Sequence, residues 1–283
     1  MASLGGRRMS SPRPAGTYDC RRLMPMKFTL LGCGTSTGVP VPGCCCRVCS
    51  SEEPRNSRLR TSAVIRLDSG QNILVDAGPD LRQQSLQYQV RRVDAVLYTH
   101  SHADHILGTD DLRSFNFISG KRIPCYGTGE TLTDLRRIFT YIFEPSPTYQ
   151  GGMLAQLDLI PISPSCACTI HGVTFSPFIL HHGQTEVLGF RIGDLGYATD
   201  FKRMPDEAKQ ILRGVKHLFI DGLRYEQHAT HATIPEALAL IEEIQPERAF
   251  IIHTSHSIDY HETNAKLPAG VELAWDGLTV LIS

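Results

Sequence analysis

The segment that most constrains this chain is Thr99-His100-Ser101-His102-Ala103-Asp104-His105, which follows the apolar run Ala95-Val96-Leu97-Tyr98. Residues two apart at the end of a strand project to the same side, so His100 and His102 can reach one point together. Asp104 and His105 fall where a helix would start, and the turn brings both toward a neighbouring point. A packed core needs neither the charge nor the hydrogen-bonding demand of three imidazoles and a carboxylate. A polar loop or a histidine-rich helix cap is the alternative, but it gives no reason for the spacing. With twelve His and nine Cys, the chain is rich in the commonest nitrogen and sulfur ligands of transition metals.

A second dense cluster is Gly43-Cys44-Cys45-Cys46-Arg47-Val48-Cys49. The spacing Cys44-x-Cys46-x-x-Cys49 lets three thiolates from one loop converge on a tetrahedral zinc, with the fourth ligand supplied from elsewhere and Cys45 pointing away. A vicinal disulfide is the alternative. The odd cysteine count and the crowding of four Cys into six positions favour thiolates kept reduced for metal.

The 283 residues carry a formal charge of −1, which conceals an asymmetry. Residues 1–25 contain five Arg (Arg7, Arg8, Arg13, Arg21, Arg22) and a single acid, Asp19, leaving 23 basic and 28 acidic groups and a charge of −5 for the remainder. That segment is rich in Ser, Pro and Gly and shows no apolar period, so it is expected to be a disordered tail or an over-extended start. The rest lacks the basic field that would draw a nucleic acid polymer. No run approaches the ~18 apolar residues of a membrane span. A cytoplasmic location is expected.

From Met26 onward, short strands and helices are interspersed without strict alternation. Ser62 to Leu67 and Asn72 to Val75 flank Asp68-Ser69-Gly70-Gln71 and read as a hairpin. Helices are expected over 80–90, 130–138, 205–213 and 234–244, and Asp110 to Lys121 reads as a loop shaping a pocket. Gly32-x-Gly34 is a tight turn, because no third glycine follows and Pro40 and Pro42 prevent a helix there. The expectation is one layered α/β domain over residues 26–283.

His-x-His-x-Asp-His after an apolar strand resembles the hallmark of the metallo-β-lactamase superfamily. The resemblance implies a four-layer αββα sandwich with two divalent metals held between its sheets. Three downstream strand ends match the remaining ligands: Leu180-His181-His182-Gly183, Tyr197-Ala198-Thr199-Asp200 and Phe250-Ile251-Ile252-His253. By this carry-over His100, His102 and His182 hold one metal, Asp104, His105 and His253 hold the other, and Asp200 bridges. His181 faces the other way by strand alternation. Two divalent cations less two carboxylates leave net positive charge, which suits a bridging hydroxide attacking a phosphodiester. His102 stands where redox di-iron relatives carry a carboxylate, so hydrolysis is implied. Manganese or zinc would fill the pair.

The Cys loop narrows the resemblance to the phosphoribosyl 1,2-cyclic phosphate phosphodiesterase branch. There the second His of a His-x-x-His completes a structural zinc, which implies Cys44, Cys46, Cys49 and His256 here. His231, 22 positions before His253, matches a histidine that assists at the phosphate, with His228 as the alternative. The resemblance therefore implies hydrolysis of a small cyclic phosphate ester, with Asp104 and His231 as catalytic groups and a homodimer as one possible assembly. Two rivals share much of the pattern: a thioester or lactone hydrolase, and a non-catalytic binding protein of a cofactor pathway. The filled ligand set disfavours the second.

Overall fold

The computed structural model describes residues 26–283, and the tail expected over residues 1–25 lies outside the described residues. Two seven-stranded sheets face each other. The first contains β1 (Met26–Gly32), β2 (Ser62–Leu67), β3 (Asn72–Val75), β4 (Ala95–Leu97), β5 (Ile123–Gly127) and β6 (Leu157–Pro161). The second contains β7 (Cys168–Ile170), β8 (Val173–His182), β9 (Thr185–Ile192), β10 (Leu195–Ala198), β11 (His217–Asp221), β12 (Arg248–Ile252) and β13 (Val271–Leu273). The last strand, β14 (Thr279–Ile282), returns to the first sheet beside β1, giving the order β14-β1-β2-β3-β4-β5-β6.

Strands buried on both faces read as nearly continuous apolar runs, and their alternation sorts side chains between two cores. In β2, Ala63 and Ile65 point between the sheets while Val64 points outward. In β12, Phe250 and Ile252 point inward while Ala249 and Ile251 point outward. The helices follow in chain order: α1 (Leu81–Gln87), α2 (Ala103–Ile106), α3 (Arg113–Ser119), α4 (Gly129–Ile138), α5 (Thr140–Phe143), α6 (Asp206–Leu212), α7 (Ile234–Ile244) and α8 (Tyr260–Asn264). Leu81 of α1, Phe115 of α3 and Leu132 and Leu135 of α4 cover the outside of the first sheet. Leu212 of α6 and Ile241 and Ile244 of α7 cover the second. The result is the αββα sandwich.

The hairpin forms as expected, with Ala63 opposite Val75, and helix α7 spans the expected residues. Its start is fixed by a capping box in which Thr233 and Glu236 satisfy each other's backbone N–H. Two expectations are corrected. Gly32 ends β1 and Gly34 forms isolated bridges with Arg60 and Thr254, so that segment is extended rather than a tight turn. The stretch from Asp110 to Lys121 is helical, a single 3-10 turn over Thr109–Leu112 leading into α3. Leu112, Phe115 and Asn116 face inward there, and the first residue able to stop the helix is Gly120, whose φ is 64°.

Candidate metal centre

Six chain segments bring polar side chains to one edge of the inter-sheet space, each at or just past the end of an apolar strand. Asp76 follows β3, His100 follows β4, His182 ends β8, Asp200 follows β10, Asp221 ends β11 and His253 follows β12. Asp76, Asp200 and His253 have φ of 60°, 52° and 58°, the left-handed region that costs a non-glycine residue free energy. The chain turns sharply there, which aims the side chain into the gap.

The geometry is dense. Asp200 Oδ2 lies 3.2 Å from His253 Nε2, 3.4 Å from His105 Nε2 and 3.8 Å from His100 Nε2. Asp104 Oδ2 lies 3.3 Å from His105 Nε2 and 3.5 Å from His253 Nε2. The rings of His102 and His182 stand 5.0 Å apart, and His102 is 4.6 Å from His100. Thus all seven residues expected from the sequence converge. His102 is exposed at the mouth and the other six are buried. His181 stays outside the cluster.

Three of these imidazoles are fixed through the other ring nitrogen. His105 Nδ1 donates to Asp76 Oδ2 at 2.8 Å, and His182 Nδ1 donates to the Thr230 carbonyl at 2.8 Å. His100 Nδ1 donates to Thr99 Oγ1 at 3.0 Å, whose own hydroxyl donates to Asp76. Each arrangement leaves Nε2 facing the cluster, the orienting pattern of metal-bound histidine. The inward Nε2 atoms of His100, His105 and His253, with Asp104 Oδ2, have no hydrogen-bond partner despite complete burial. Orphaned atoms of this kind are costly in a core and are the natural ligands of a cation, so the residues fit divalent metals. Asp76 reaches His105 because the following turn lies flat on α2. A Cβ on Gly78 would approach the Asp104 carbonyl oxygen to 2.0 Å.

Without a cation the cluster holds protons instead. Burial alone would depress His253, but the Asp200 and Asp104 carboxylates override it and raise it to about 9. Burial likewise opposes the charged form of His105, and Asp200, Asp104 and Asp76 reverse that. His100 is pushed down by burial and by His105. Burial pushes Asp104 and Asp200 upward, yet the neighbouring imidazolium groups hold both well below the ordinary carboxylate range. A metal must therefore displace the His253 proton. Metal affinity should rise as pH rises through about 9, measured by chelator competition. The sign for the metal-free fold is opposite. His253 has a raised folded pKa, so its stabilisation is complete below about pH 6.5 and is lost as pH rises through about 9.

Asp221 and His231 sit against this cluster. His231 Nδ1 donates to Asp221 Oδ2 at 2.9 Å, which also accepts the Phe201 N–H at 3.0 Å. The His231 ring lies 4.4 Å from that of His182 and stacks 4.7 Å from that of His253. His228 is one place further out: its ring is 5.1 Å from His231 and its Nδ1 accepts from Thr230 N. The two buried carboxylates behind the ligands, Asp76 and Asp221, are the residues sequence reasoning missed.

The Cys loop forms a separate centre. His256 Nδ1 lies 3.3, 3.5 and 3.5 Å from the sulfurs of Cys44, Cys46 and Cys49. Sulfur and nitrogen ligands at ordinary zinc distances in a tetrahedron are about 3.5 Å apart, so the four atoms fit a closed zinc site. The Cys49 N–H donates to Cys46 Sγ and the Val41 N–H to Cys49 Sγ. The first of these bonds pulls Cys46 down to about 6, whereas burial pushes Cys49 up to about 11. Cys45 is exposed and outside the cluster.

The fold and the edge cluster define a metallo-β-lactamase-fold hydrolase. A beta-lactamase superfamily domain model matches residues 71–254, and the chain belongs to that superfamily. Within it, the chain is similar to a crystal structure described as a new diphosphatase from the PhnP family. That similarity has a TM-score of 0.85 and 39% identity over 92% of this chain and 98% of the other. An octanoyltransferase of Porphyromonas gingivalis is 38% identical over 259 residues, covering 91% of this chain and 52% of that protein. A ribonuclease Z of Bradyrhizobium is 28% identical over 167 residues, covering 58% of this chain and 49% of that protein. The chain thus spans about half the length of these two curated relatives. Among the described residues no helix is long and apolar enough to cross a membrane.

Proposed function

We propose that the protein is a dinuclear metal-dependent phosphodiesterase acting on a small, anionic, cyclic phosphate ester. His100, His102 and His182 would hold one ion, Asp104, His105 and His253 the other, and Asp200 both. Cys44, Cys46, Cys49 and His256 would hold a structural zinc. Imidazole and carboxylate donors suit manganese or zinc, and three thiolates with an imidazole suit zinc. Divalent ions in the edge cluster supply Lewis acidity to a phosphoryl group and make a nucleophilic water available near neutral pH. Similarity to a PhnP-family diphosphatase supports phosphate chemistry. The octanoyltransferase extends well beyond the match, so its acyl transfer is not carried over.

The observation that carries the reading is the Asp221–His231 pair beside the cluster. With Nδ1–H committed to Asp221, His231 presents Nε2 to the open side and can hold a proton for the leaving oxygen. An alkoxide leaving a phosphodiester needs that proton. A thiolate leaving a thioester does not, which disfavours the thioester hydrolase. Asp104 stays ionised beside His105, Thr230 orients His182, and Asp76 with Thr99 orients His105 and His100. The negative charge outside residues 1–25 argues against a nucleic acid polymer as substrate.

Metal-loaded protein should hydrolyse bis(p-nitrophenyl) phosphate and a 2′,3′-cyclic nucleotide faster than a thioester or a lactone. The reverse order would replace this reading with a carbonyl hydrolase. His231→Ala should lower kcat/KM for alkyl phosphodiesters by about 10²–10⁴ and for nitrophenyl esters far less, with metal content unchanged. Equal losses on both substrate types would remove the proton-donor role.

A further inference from the structure

Thr230 stands between the metal cluster and a further histidine, and it fixes both. Its side chain packs over Gly183, where an added Cβ would come within 3.0 Å of Thr230 Cγ2. Its carbonyl accepts from His182 Nδ1, while its N–H and its hydroxyl each lie 3.3 Å from His228 Nδ1. A backbone N–H can only donate, so Nδ1 is the unprotonated nitrogen of the His228 ring. The ring proton therefore sits on Nε2, on the side turned away from Thr230. Among the described residues that Nε2 has no hydrogen-bond partner.

Burial, and after it the neighbouring His231 and Arg224, push His228 below the ordinary imidazole value. It is thus a neutral donor near neutral pH rather than a second acid. The loop around it is braced. The Arg224 guanidinium donates to the carbonyls of Glu226 and Gln227, and Lys202 Nζ is taken up by Glu236 and Gln227. A neutral N–H suits a neutral oxygen acceptor, whereas the charge of a phosphoryl group is better met by cations.

The position of the ring says which part of a substrate it meets. The His231 ring lies against those of His182 and His253, and His228, half-exposed, neighbours His231 alone among the described histidine rings. A phosphoryl group at the cluster, with its leaving oxygen at His231, sets the rest of the leaving alcohol against His228. We propose that His228 Nε2–H binds a neutral oxygen on the leaving portion of the ester, and so selects substrates that carry one there. In a cyclic ester that portion stays attached after ring opening, so the contact persists into the product. This role rests on the phosphodiesterase reading, with His231 as the proton donor.

In metal-loaded protein, His228→Ala should lower kcat/KM for uridine 2′,3′-cyclic phosphate about tenfold more than for ethylene glycol cyclic phosphate, which has no oxygen outside the ester. The loss should fall on KM, and His228→Gln, which keeps an N–H, should recover most of it. Metal content should match wild type. Calorimetry reads the same contact without turnover: His228→Ala should weaken uridine 3′-monophosphate about tenfold more than inorganic phosphate. Equal losses on both esters, or lost metal, would mean that His228 acts only through Thr230 on His182, and would overturn the proposal. So would a loss in kcat that steepens with the pKa of the leaving group, the mark of a proton donor. Wild-type protein that cleaves neither ester refutes the phosphodiesterase reading instead, and unchanged binding of the monophosphate then removes the His228 contact as well.

Discussion

Asp200→Asn should lower kcat/KM on phosphodiesters by about a thousandfold or more and cost the cluster its divalent ions. Asp200 is the group whose single oxygen approaches the Nε2 atoms of His253, His105 and His100 within 3.8 Å. No other carboxylate in the cluster faces both halves. Asn is the right replacement because the residue sits at φ 52°, a conformation Asn tolerates and Ala does not. The amide keeps the shape and removes the charge, so the loss reports on electrostatics rather than backbone strain. The metal-free variant should fold. Inductively coupled plasma mass spectrometry and steady-state kinetics check both halves of the expectation, and a variant holding two ions with near-wild-type turnover would end the bridging assignment.

Cys46→Ser should remove one zinc per chain and cost about 3 kcal/mol or more of stability, because a closed zinc site contributes folding free energy directly. For a chain of this size that is a fall of about 10 °C in Tm. The effect should spread to the catalytic ions. His256 lies three residues beyond His253, and the intervening loop is held at several points: Thr254 N–H donates to the Cys33 carbonyl, and Thr35 N–H donates to the Thr254 carbonyl. The fully buried Arg58 donates to the carbonyls of Ser255 and Ile258. With the zinc gone, His256 loses its anchor while these backbone bonds remain, and the approach of His253 becomes less well defined. Chelator competition should therefore show weaker catalytic metal binding in Cys46→Ser, whereas the exposed Cys45→Ser should match wild type by scanning calorimetry and by metal content. An unchanged zinc count in Cys46→Ser would remove the structural zinc.

Much of the site was legible because each of its first residues is an oddity in place: a polar, metal-capable side chain closing an apolar strand. Asp76 and Asp221 carry the same mark, closing Ile73-Leu74-Val75 and Phe219-Ile220. They escaped notice because a lone aspartate after a strand has no local partner to single it out. Their roles come from His105, 29 residues away, and His231, 10 residues away, which only the folded sheets bring within hydrogen-bonding distance. His231 and His228 were likewise equivalent as sequence. What separates them is that the first reaches Asp221 and the second turns back to Thr230. Helix α3 was hidden for a different reason. Its apolar residues Phe115, Phe117 and Ile118 do not sit on one face, so its pattern lacks the single stripe that marks a packed surface helix. The two extra apolar residues that spoil the stripe are the ones left uncovered at the surface.

The proposed activity places its divalent ions in the buried His/Asp cluster, distinct from the Cys centre. Titrating metal-depleted protein with manganese or zinc, while following bis(p-nitrophenyl) phosphate cleavage and counting metal per chain, tests it directly. The predicted result is one tightly held zinc that survives depletion and activity that climbs to a plateau at two further equivalents. Cleavage that ignores added metal, or none at full loading, would contradict it.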